Sequence, residues 1–121
     1  MKIDELKKAI MDMVESSGGG ILSVGVYSGD DDFIITGYNG DNMISSVSND
    51  LFKAFSNNLR MFNFAKSLNN YAVVFDDRVY YTGKLSDEFN FTVVIDTSKL
   101  QFGFFKTVLL KRFLNSINNL I

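Results

Sequence analysis

Apolar residues near the start of the chain fall at Ile3, Leu6, Ile10, Met13 and Val14, the spacing of one helix face. This predicts a helix over residues 3–16. The run Ser16-Ser17-Gly18-Gly19-Gly20 ends it, since consecutive glycines take left-handed conformations at low cost and let the chain reverse. From position 21 the period falls to two, with Leu22, Val24 and Val26 alternating against Ser23 and Gly25, so residues 21–27 read as a strand. Residues 28–32 are turn chemistry and residues 33–38 are again β-branched and aromatic, which makes the pair a β-hairpin. Asn39-Gly40 stops the second strand, and Asp41, Asn42 or Ser45 can cap a long helix running from near Met43 to about position 68.

After Asn69-Asn70 the pattern becomes a meander of three strands, over residues 71–75, 79–85 and 89–95. In the last of these Phe91, Val93 and Ile95 alternate with Asn90, Thr92 and Val94. Asp96-Thr97-Ser98 leaves the sheet and can cap a final helix from about Lys99. One side of that helix would carry Phe105, Val108, Leu109, Arg112, Phe113, Ser116, Ile117 and Leu120. The predicted order is α-β-β-α-β-β-β-α. Two hairpin-type units without strand–helix alternation imply an α+β fold, a five-stranded antiparallel sheet with helices on its faces.

The chain is 121 residues long, which predicts one domain over 1–121 and burial of roughly two-thirds of the unfolded chain's surface. The absence of His and Cys removes the usual structural zinc site, His-assisted nucleophiles and an imidazole general base. A net charge of −2, with no basic cluster longer than Lys7-Lys8 or Lys111-Arg112, argues against a nucleic-acid partner. No apolar run reaches the roughly 18 residues a bilayer span needs, and MKIDELKK lacks the apolar stretch of a signal peptide. The expectation is a cytoplasmic protein without direct membrane insertion.

Three motifs could carry chemistry, and each has a plainer reading. Gly18-Gly19-Gly20 follows a helix and lacks the lysine of a phosphate loop, so it reads as a connector. Asp30, Asp31 and Asp32 could attract a hard cation, but consecutive residues in a turn point apart and the spaced oxygens of a calcium loop are missing. Asp76-Asp77 sits where a tight turn must sit. No nucleophile, base and orienting group are placed together, so no catalytic, cofactor or metal residue is assigned.

The second helix is more informative. Its apolar residues include Met43, Ile44, Val47, Leu51, Phe52, Ala54, Phe55, Leu59, Met61, Phe62, Ala65 and Leu68, an arc of roughly 200° where an ordinary amphipathic helix needs somewhat more than 100°. Half of that arc can cover the sheet. The other half, centred on Phe52, Phe55 and Leu59, needs a second partner, as does the apolar strand 71–75 if it lies at a sheet edge. The reading is a homodimer interface of Leu51, Phe52, Phe55, Leu59, Phe62, Tyr71, Val73 and Phe75.

The element order, the opening helix DELKKAIMDMVES, the strand ILSVGVYSG, the long helix after Asn39-Gly40 and the meander YAVVFDDRVYYTGKLSDEFNFTVVID resemble the roadblock/dynein light chain family. The helix opening KLQFGFFKTVLLKRFL resembles that family's Leu-Gly-basic pattern at Leu100, Gly103 and Lys106. The resemblance implies a roadblock-like fold with profilin-type layering and a non-enzymatic protein without cofactors. It further implies dimers in which second helices pack together and third strands join two sheets. It also implies a small Ras-like GTPase as partner, whose hydrolysis prokaryotic MglB-like members stimulate by shifting its switch loops. Lys53, Asn57, Arg60 and Phe64 on the second helix are the candidate partner-binding residues. Alternatives are an acidic secretion-chaperone-like dimeric module, which carries three strands before its second long helix, and a profilin-like or sensory binding domain.

Overall fold

The structure, a computed structural model, describes residues 2–63 and 67–120. Helix α1 spans Ile3–Glu15, strands β1 and β2 span Ile21–Ser28 and Ile34–Tyr38, and helix α2 spans Asn42–Met61. Strands β3, β4 and β5 follow at Asn70–Phe75, Arg78–Lys84 and Phe89–Asp96. The last helix, α3, has an α-helical turn Phe102–Phe104, a π-helical turn Phe105–Leu109 and an α-helical stretch Leu110–Ser116. The strands form one antiparallel sheet in the order β2-β1-β5-β4-β3, with β2 and β3 at its edges. This is the α+β architecture predicted from the pattern, with two strands before α2 and three after it, the reverse of the secretion-chaperone order.

One face of the sheet carries the core. Leu6, Ile10 and Met13 of α1 and Phe105, Leu109, Leu110, Phe113 and Ile117 of the α3 segment pack on Val24, Val26, Val79, Tyr81, Phe91, Val93 and Ile95, alternate residues of β1, β4 and β5. The register pairs Val24 with Val93, Val26 with Phe91 and Val79 with Ile95, so these side chains stand in rows across the strands. Gly20 is required by the tight approach of the α3 entry: a Cβ on it would sit 2.3 Å from Leu100 Cβ.

Four details depart from the pattern. The register of β1 against β5 shifts between Ile21 and Ser23, and this irregularity puts Ile21 into the core and leaves Leu22 half-buried. Helix α2 ends at Met61 rather than about position 68; Asn63 takes φ +63° and donates to the Arg60 carbonyl, while Phe62 donates to that of Asn58. Asn57, Asn58 and Asn63 weaken helix propensity there, and the Asn58 side chain bonds back to the Ala54 carbonyl at 2.9 Å. Asp96 caps a tight turn by accepting from the Ser98 amide and hydroxyl, bonds that lower its carboxyl pKa, so α3 starts at Phe102 instead of Lys99. Finally, the π turn changes the buried side of α3: Leu110 enters the core, and Arg112 and Ser116 are exposed.

Candidate functional site

Helix α2 crosses the other sheet face, and its inner side is mostly polar. Ser45, Ser48, Asn49 and Phe52 are its buried residues, at the i, i+3, i+4, i+7 spacing of one stripe. They meet Tyr27, Thr82, Asn90 and Thr92, which lie between the core-facing positions of their strands. The polar atoms are paired: Tyr27 and Thr92 hydroxyls lie 2.7 Å apart, those of Thr82 and Thr92 2.9 Å, and Ser45 Oγ donates to the Asp32 carbonyl at 2.8 Å. Asn49 donates to the Ser28 carbonyl and the Asp32 carboxylate and accepts from Asn90, which fixes the β1–β2 turn, α2 and β5 together. Among the described residues no buried side-chain polar atom lacks a partner. Burial pushes the Tyr27 phenol up to about 12 and raises that of Tyr71.

The polar stripe occupies the place that the helical wheel reserved for half of the apolar arc. At about 100° per residue the apolar residues therefore turn outward, about a third of a turn away from the stripe. Met43, Val47 and Phe55 are 74%, 52% and 39% exposed, and Ile44 and Leu51 are half-buried. They face edge strand β3. Its register sets Tyr71 beside Thr82, Val73 beside Tyr80 and Phe75 beside Arg78, which puts Tyr71, Val73 and Phe75 on the α2 face. Tyr71 joins the two elements: its ring meets Phe52 and Phe55 edge-on at 5.5 and 5.1 Å, and its hydroxyl donates to the Ser48 carbonyl at 2.6 Å. The result is an open apolar groove of about 290 Å³ walled by Met43, Ile44, Val47 and Leu51 on α2 and by Tyr71, Val73, Phe75 and Tyr80 on the sheet.

Of the sequence-predicted interface residues, Leu51, Phe55, Tyr71, Val73 and Phe75 come together in and beside this groove. Phe52 does not face outward: it is 5% exposed, inside the stripe, with Lys84 Nζ 5.9 Å from its ring centroid. Leu59 is half-buried, and Phe62 lies past the helix end, 73% exposed. Met43, Ile44, Val47 and Tyr80 belong to the groove but not to the predicted set. The first three belong to the apolar arc but lie away from an outer half centred on Phe52, Phe55 and Leu59.

The opposite flank of α2 is a polar cleft of about 410 Å³ that gathers Lys53, Asn57 and Arg60 with Asp30, Lys84, Asp87 and Asn90. Arg60 donates to Asn57 Oδ1 at 2.9 Å. Phe64 lies outside the described residues. In the aspartate turn, Asp31 accepts from the Phe33 amide and Asp32 from Asn49, so these carboxylates are engaged in local structure. Among the described residues no group of three or more Asp, Glu, His or Cys could hold a metal ion, and no helix is long and apolar enough to cross a membrane.

The described helices and sheet are those of the Roadblock/LC7 fold. A Roadblock/LC7 domain from Streptomyces avermitilis superposes with a TM-score of 0.76 at 11% identity, covering 94% of this chain and 95% of that one. Within this class the structure is similar to MglB from Myxococcus xanthus, with a TM-score of 0.81 at 8% identity over 98% of this chain and 89% of that one. A structure described as MglB with tetrameric arrangement gives 0.78 at 8% identity over 97% and 88%. No protein-family model matches the sequence, and no curated protein matches it.

Proposed function

We propose that the chain is a roadblock-family, MglB-like regulator or scaffold of the cytoplasm that pairs with a second copy through α2 and β3 and binds a small Ras-like GTPase. The observation that carries this reading is the continuous apolar surface around Tyr71. Contiguous exposed apolar patches on folded domains mark association sites, and this one joins a helix stripe to a free strand edge. Pairing across a two-fold axis would bury both and remove the unpaired β3 edge. Self-association is also what the tetrameric arrangement of the MglB neighbour describes for that protein.

The partner reading rests on the family resemblance and on the cleft containing Lys53, Asn57 and Arg60. Two-fold pairing would leave this flank outside the groove. The chain would act by contact rather than as an enzyme. The MglB-like resemblance implies that it would hold the partner's switch loops in an active geometry without inserting an arginine. The test is recovery of GTPases from the source cell by wild type and by a Lys53→Ala/Arg60→Ala variant, followed by GTP turnover of the recovered GTPase with each. Faster turnover or stable binding with wild type, weakened in the variant, supports the reading. Failure of wild type to retain any GTPase contradicts it.

A further inference from the structure

We infer that α2 is a conditionally seated helix: in a single copy it opens from the sheet more readily than the sheet unfolds, and coverage of its outer stripe by a second copy closes it. The role of the second copy rests on the pairing reading above, whereas the opening rests on the packing alone.

The two sheet faces are built differently. The α1/α3 face is a continuous apolar core that includes Leu6, Ile10, Val24, Val93, Phe105 and Phe113, so β1, β5 and β4 keep their packing whether or not α2 is in place. On the other face α2 contributes three polar residues, Ser45, Ser48 and Asn49, and one buried aromatic, Phe52. Below them the hydroxyls of Tyr27, Thr82 and Thr92 bond to one another within the sheet, and the bonds across the seat are those of Ser45 to Asp32, of Asn49 to Ser28, Asp32 and Asn90, and of Tyr71 to Ser48. When such groups separate, water replaces each hydrogen bond, so a polar seat opposes opening far less than an apolar one of equal area. The same helix leaves Met43, Val47 and Met61 74%, 52% and 78% exposed. Much of the apolar surface that could hold it is therefore left uncovered by its own sheet, along an open groove. A second copy on that surface binds only the seated form, and by mass action it stabilises seating.

Hydrogen–deuterium exchange read by peptide tests this on the whole chain. In a Val47→Asp variant, and in wild type diluted until monomeric, α2 amides should exchange about 30-fold or more faster than those of β1 and β5, the behaviour of a separate opening unit. At concentrations where wild type pairs, α2 should slow towards β5 while β1 and β5 stay unchanged. Equal protection of α2 and β5 in the monomer overturns the inference. If Val47→Asp does not fold, the dilution series decides alone. A wild type that never pairs contradicts the pairing reading, while the α2-to-β5 ratio still decides whether the seat is weak.

Discussion

The side-chain amide of Asn90 on β5 donates to the side-chain oxygen of Asn49 on α2 at 2.8 Å, and Asn49, almost fully buried, passes both of its own amide protons to the β1–β2 turn. One residue thus satisfies three elements. Asn49→Ala would leave the half-buried Asn90 amide and the Ser28 carbonyl without these partners, at about 2–4 kcal/mol for the set. Urea unfolding should show that loss, whereas Asn57→Ala, an exposed change on the same helix, should stay within about 0.5 kcal/mol of wild type.

Gly20 and Gly103 should respond oppositely to alanine. A Cβ at Gly20 would lie 2.3 Å from Leu100 Cβ and 3.1 Å from the Ser17 carbonyl oxygen, so Gly20→Ala forces backbone shifts and should cost about 1–3 kcal/mol. Nothing lies within 4 Å of a Cβ at Gly103, in the first turn of α3, so Gly103→Ala should be neutral or stabilising by up to about 1 kcal/mol. Thermal unfolding of the two variants beside wild type checks both signs.

Tyr27 gives the fold an alkaline limit. Burial holds its folded pKa near 12, above the 10.0 of a free phenol. The unfolded state therefore releases the proton first, so the contribution is fully present below pH 10 and is lost as pH rises through 10 towards 12. The size is on the order of 2–3 kcal/mol. Stability measured from pH 8 to 12 should fall steeply over that window in wild type and less steeply in Tyr27→Phe, which keeps the ring but has no proton to lose.

The fold was legible because its core face obeys simple periods. Val24 and Val26, and Phe91, Val93 and Ile95, alternate cleanly, and Leu6, Ile10 and Met13 keep helical spacing. Where the structure departs from these periods, a non-periodic device intervenes. The shifted register beside Ile21 exchanged it with Leu22, the π turn brought Leu110 inward in place of Arg112, and the left-handed Asn63 stopped α2 early. The site was read only in part for a different reason. An apolar arc does not reveal which side meets the sheet, and the wheel assumed that the inner stripe would be apolar. Ser45, Ser48 and Asn49 fill it instead, because Tyr27, Thr82, Thr92 and Asn90 beneath them offer hydrogen-bond partners that appear only once the strands are paired. Phe52 consequently moved inward, and Met43, Ile44 and Val47 joined the outer surface.

Whether the α2–β3 surface joins two copies is decided by sedimentation equilibrium of wild type beside Phe55→Asp and Val73→Asp. Wild type should sediment at twice the 13.6 kDa chain mass at micromolar concentration, while each aspartate variant, still folded by circular dichroism, should sediment as one chain. A wild type that stays at 13.6 kDa up to about 100 µM, or variants that pair as well as wild type does, would contradict it.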